Sequence, residues 1–134
     1  MEESIWENAE ILNCVSAALR EAKPAPNGSG LAYLTAYQLA IKVDRDHPEV
    51  RQALGVKIGG EGTGSHVSFA QYLGRELSRR SRSANFPVEM VYLSNDHVAD
   101  VTYKSAGGEP IVSSLTGTGI PLALFRWRGE TQAS

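Results

Sequence analysis

The residues with the most obvious chemical potential lie between Gly59 and Arg82. Gln71, Arg75, Ser78 and Arg82 step by four, three and four, which places them on one face of a helix. Arg79 flanks that face and Arg80 sits near the helix end, so four of the chain's 13 Lys and Arg residues crowd into eight positions. Such a helix could lie in a DNA major groove. Gln71 or Arg75 would then reach base edges, while Arg79, Arg80 and Arg82 hold phosphates. A hairpin over 88–104 would act as its wing. The plainer alternative is a solvated face whose late arginines favour the negative end of the helix dipole.

Just ahead of that helix runs Gly59-Gly60-Glu61-Gly62-Thr63-Gly64-Ser65-His66. An extended segment, a glycine-rich loop and a helix start follow in the order that builds phosphate cradles. Ligands would be backbone N–H groups at Gly60, Gly62 and Gly64 with the Thr63 and Ser65 hydroxyls, and His66 beside Glu61 would be the titrating group. The known motifs do not match. No Gly-Lys-Ser/Thr follows, the glycines alternate, and no βαβ unit surrounds them. An exposed loop is the competing reading.

His47, His66 and His97 fall on three different segments, with no i,i+4 pair and no cysteine partner. That spacing supports no metal site. No catalytic residue and no cofactor is assigned.

The elements that hold these residues follow from periodicity and punctuation. Ser4 and Glu7 are spaced as a capping box, and Ile5, Ala9, Leu12, Val15 and Leu19 form the apolar stripe of a helix to about Glu21. Pro24 to Gly30 reads as a flexible connection. Thr35 and Gln38 open a second helix, ending near Val43, and Pro48 starts a short third one stopped by Gly55. Ser68 and Gln71 cap the fourth, which runs to about Arg80 or Arg82. After Pro87 the period changes to two. Val88–Leu93 and His97–Lys104 are expected to pair as a hairpin, with turns at Ser94–Asp96 and Gly107–Pro110. Ile111–Leu115 is a third candidate strand and Leu122–Arg128 a fourth. Phe125 and Trp127 alternate there with Arg126 and Arg128, a pattern expected at a sheet edge or subunit contact.

These elements predict one α+β domain over 1–134: helices over about 4–82, an antiparallel sheet of three to four strands over about 88–128, and a tail at 129–134. The composition is ordinary for a globular chain, 42% apolar and 21% charged. A net charge of −2 gives no whole-protein attraction to nucleic acid, so DNA binding would rest on a local basic patch. Cys14 is the single cysteine, so no internal disulfide forms, and it reads as a small apolar helix residue. The start Met1-Glu2-Glu3-Ser4 lacks the features of a signal peptide, and no apolar run is long enough to span a membrane. The expectation is a cytoplasmic protein that forms a homodimer and makes no membrane contact.

Tyr33-Leu34-Thr35-Ala36-Tyr37-Gln38-Leu39-Ala40, the glycine-rich loop and the Ser-led helix ending in arginines resemble small uncharacterised bacterial proteins of mobile elements, of the integron gene cassette type. The resemblance covers about residues 30–82 and brings no catalytic residues. It implies a bacterial cytoplasmic protein of unassigned role with a winged-helix-like look, from which the long glycine-rich loop departs. The sequence thus supports a non-enzymatic binding protein, for DNA or for a partner chain. The alternative is a small-molecule or phosphate-ligand site, for binding or for catalysis, at 59–65.

Overall fold

The structure, a computed structural model, describes residues 6, 10–59, 68–83, 85–94, 96–98, 101–112 and 122–128. The statements below concern those residues. They form four helices and five strands, in the order α1 (Ile11–Arg20), β1 (Leu34–Thr35), α2 (Ala36–Asp46), α3 (Pro48–Leu54), α4 (Phe69–Arg80), β2 (Val88–Leu93), β3 (Thr102–Lys104), β4 (Pro110–Val112) and β5 (Leu122–Trp127). The class is α+β, as the period change predicts.

The starts of α2 and α4 are built as their sequences direct. Thr35 Oγ1 accepts from the Gln38 N–H at 3.2 Å, and Gln38 Oε1 accepts from the Thr35 N–H at 2.8 Å. Ser68 and Gln71 repeat the exchange, both bonds at 3.1 Å. Pro48 occupies the first turn of α3, and Gly55 ends it in the left-handed region at φ 69°. The Ser4–Glu7 box lies outside the described residues. On α1 the buried stripe is Ile11, Cys14, Val15, Ala18 and Leu19, rotated from the predicted one, so that Leu12 is only partly buried. Burial pushes the Cys14 thiol up, with the Glu49 and Glu10 carboxylates adding to it, which suits packing rather than thiolate chemistry.

The expected flexible connection after α1 is a closed loop. Ala25 N–H donates to Gly30 at 2.7 Å and Ala32 N–H to Lys23 at 2.8 Å. Gly30 is needed there: at φ 124° a Cβ would stand 2.9 Å from an Arg126 guanidinium nitrogen.

Strand pairing differs most from expectation. The three-stranded sheet has the order β1-β5-β2, all antiparallel, and β3 pairs only with β4. Val88–Leu93 therefore makes no hairpin with the following strand, which is itself only Thr102–Lys104. The strict separation of helices from sheet also fails, because the two-residue β1 precedes α2. β5 is the central strand, not an edge, so Arg126 and Arg128 serve internal contacts. Arg126 Nε donates to Glu89 at 2.8 Å and Nη1 to the Ser29 carbonyl at 3.0 Å, while Arg128 donates to the Phe86 carbonyl.

The core gathers Ile11, Val15 and Leu19 of α1, Tyr37, Leu39 and Val43 of α2, Phe69, Leu73 and Leu77 of α4, and Phe125 of β5, all fully buried. The β3–β4 hairpin joins it through Tyr103, whose ring stacks on Tyr37 at 5.0 Å between centroids.

Candidate functional site

The predicted face of α4 divides into two groups. Gln71 is half-buried and its amide closes the capping box. Arg80 lies at 4.3 Å over the Trp6 ring and 3.2 Å from the buried Glu76 carboxylate. Both are engaged in holding the fold. Arg75 and Arg79 of α4 are exposed, as is Arg82 two residues past its end, with Arg79 also 2.6 Å from Glu76. Ser78 Oγ donates to Met90 Sδ at 3.1 Å, tying α4 to β2.

A groove of about 410 Å³ lies between the end of α4 and β2. Ser78, Ser81 and Arg82 form one wall, Met90 and Tyr92 the other, and Arg128 closes one end. β2 is an edge strand, and no described residue pairs with its outer side. The hydrogen-bond parity says which groups point there. Arg128 N–H donates to the Pro87 carbonyl at 2.9 Å, so odd-numbered β2 residues exchange bonds with β5. The even-numbered ones, Val88, Met90 and Tyr92, direct their N–H and C=O outward. Val88 is fully buried, so the open stretch begins at Met90. Beyond it, Val91, Tyr92 and Leu93 are 37%, 56% and 41% exposed, the large apolar side chains left uncovered. An open edge carrying exposed apolar residues is a template for another strand.

The sequence reading passed over this triplet. Its signal was present: apolar residues at 90, 91, 92 and 93 break the alternation that a strand with one wet face requires.

On the opposite face of the sheet, burial raises the Glu89 carboxyl. Hydrogen bonds from Arg126 and the Tyr33 hydroxyl outweigh that and hold it below its usual range. Arg126 also lies over the Tyr33 ring at 4.7 Å. This cluster fixes β2 to β5 and to the closed loop.

Residues Gly60, Gly62, Thr63, Gly64, Ser65 and His66 lie outside the described residues, as does Glu61. The two ends of their loop are described. Phe69 N–H donates to the Lys57 carbonyl at 2.6 Å, Ala70 N–H to Ile58 at 3.0 Å, and Gln71 N–H to Ser68 Oγ. The first three N–H groups of α4 are thus already bonded, so the helix start offers none of them to an anion. Gly59 sits against Tyr37, where a Cβ would stand 2.6 Å from the ring.

A second cleft, about 490 Å³, opens between α2 and β3 beside Gln38, Lys42, Arg45 and Lys104. Lys42 and Arg45 are already held by Glu21, at 2.8 and 3.0 Å. His47 is 3.6 Å from Glu49, and His97 is an exposed turn residue at φ 61°. Among the described residues no group of three or more His, Cys, Asp or Glu could hold a metal ion, and no helix is long and apolar enough to cross a membrane.

Comparison with known protein families, with curated proteins and with solved structures finds no match for this chain.

Proposed function

We propose that this is a non-enzymatic binding protein that takes an extended partner chain onto the open edge of β2, in the groove beside α4. The observation that carries the reading is the β2 edge, with which no described residue pairs, and Val91, Tyr92 and Leu93 exposed on it. Strand addition supplies main-chain hydrogen bonds from the outward groups of Met90 and Tyr92, and the exposed side chains supply apolar contact. Amide exchange tests it. In dilute protein the Tyr92 amide should exchange far faster than the Val91 amide, which is bonded to β5. Equal protection of the two would sink the reading.

DNA binding is the second reading, favoured by Arg75 and Arg79 lying exposed on α4 and Arg82 exposed just past its end. In a winged-helix-like docking the wing would be the β3–β4 hairpin, since β2 and β3 are not paired. This reading predicts a gel shift that weakens steeply with salt and is lost in the Arg75→Ala/Arg79→Ala double variant. Unchanged mobility at low salt removes it.

A further inference from the structure

We infer that the chain seated on the β2 edge is a second copy of this protein, paired antiparallel about a twofold axis at Tyr92. The inference rests on the reading of β2 as the contact surface and names its occupant.

Three observations select a second copy and this register. The first is parity. In an antiparallel pair, two residues whose N–H and C=O point at each other exchange two bonds. Tyr92 is an outward residue, so it can face the second copy's Tyr92 in that way. Registers centred nearer the start of β2 would need the outward groups of Val88, which are fully buried.

The second is the position of the apolar triplet. Val91, Tyr92 and Leu93 are centred on Tyr92. With the axis there, Val91 lies opposite the second copy's Leu93, Leu93 opposite its Val91, and Tyr92 opposite its Tyr92. The exposed apolar residues cover one another, and cross-strand pairs of aromatic and branched side chains are the favourable ones. Moving the axis to Val91 would instead set Leu93 against Glu89, the residue already paired with Arg126.

The third is charge. The start of β2 lies beside Arg82 and Arg128 in the groove, while the exposed Asp96 follows its end. Antiparallel pairing about Tyr92 brings the end of each β2, with the Asp96 turn following it, toward the other copy's Arg82 and Arg128. A strip that reads basic, apolar, acidic is its own complement under a twofold axis. The result is one continuous sheet of six strands, with β1-β5-β2 repeated on both sides of the axis.

Size-exclusion chromatography with light scattering tests this on the intact chain. Wild type should run at twice the 14.5 kDa chain mass. Arg82→Glu and Asp96→Arg should each weaken association by roughly tenfold, and the double reversal should restore it. Tyr92→Pro should give a monomer with an unchanged circular dichroism spectrum, because the lost N–H makes no bond to β5. In a Cys14→Ala background, Tyr92→Cys should form an intermolecular disulfide on oxidation, and Glu89→Cys should not. A dimer that survives Tyr92→Pro and yields no Tyr92→Cys disulfide overturns the inference. So does a wild-type monomer at high concentration. Such a monomer leaves the edge reading standing if its Tyr92 amide exchanges freely, and ends that reading as well if the amide is protected.

Discussion

Phe125→Ala should lower the unfolding free energy by about 3–5 kcal/mol. Phe125 is fully buried at the middle of the central strand, paired with Leu34 on one side and Met90 on the other. Truncation removes most of a buried aromatic side chain and leaves a cavity that both neighbouring strands would have to close. They are not free to do so. β1 is fixed by the Thr35 capping box, and β2 by the Glu89–Arg126 pair and the Ser78–Met90 contact. A small domain has only about 5–15 kcal/mol in all, so the variant should be partly unfolded at moderate temperature. Denaturant titration measures the loss directly. Phe125→Leu, which keeps more of the volume, should cost clearly less. A loss below about 1 kcal/mol for the alanine variant would mean that this region is not the packed core described above.

Glu76→Ala should cost about 2–3 kcal/mol, below the range for removing one partner of a wholly buried pair because the arginines reach water. The Glu76 side chain is 4% exposed, against 19% for Arg80 and 47% for Arg79. Without the carboxylate, the Arg80 guanidinium keeps its place over Trp6 with its Nε already buried and without a partner among the described residues. The penalty is the uncompensated cation. Replacing both charges with apolar residues of similar size, Glu76→Leu with Arg80→Met, should therefore recover much of the loss. If the double variant is no more stable than Glu76→Ala, the cost comes from packing around Trp6 and not from charge.

The helical half of this chain was largely legible from sequence, because its signals are local. Thr35 with Gln38, Ser68 with Gln71, Pro48 and Gly55 each act within a few residues, and each is found doing what its position implies. Strand pairing was not legible. Alternation tells which side of a strand is buried, but it does not say which strand lies beside it. β2 skips the next two strands and pairs with β5, whose Arg126 answers Glu89 across 37 residues of sequence. β1 is two residues long, too short for any period to register.

The candidate surface was half legible. Of Gln71, Arg75, Ser78 and Arg82, which their spacing sets on one helix face, Ser78 and Arg82 line the groove, and Arg82 lies two residues past the end of α4. Gln71 and Arg80 could not be discounted from sequence alone, because the capping box and the buried Glu76–Trp6 surroundings become visible only when side chains are placed. The edge itself was hidden by the wrong partner. Pairing Val88–Leu93 with the following strand would have covered the side that no described residue pairs with.

The most direct test of the open edge is residue-resolved amide exchange across a concentration series. The prediction is an alternation along β2: Val91 slow at every concentration, Met90 and Tyr92 fast in dilute protein and slowed as the concentration rises. Met90 and Tyr92 as slow as Val91 in the most dilute sample would contradict the account, because the edge would then already be paired within a single chain.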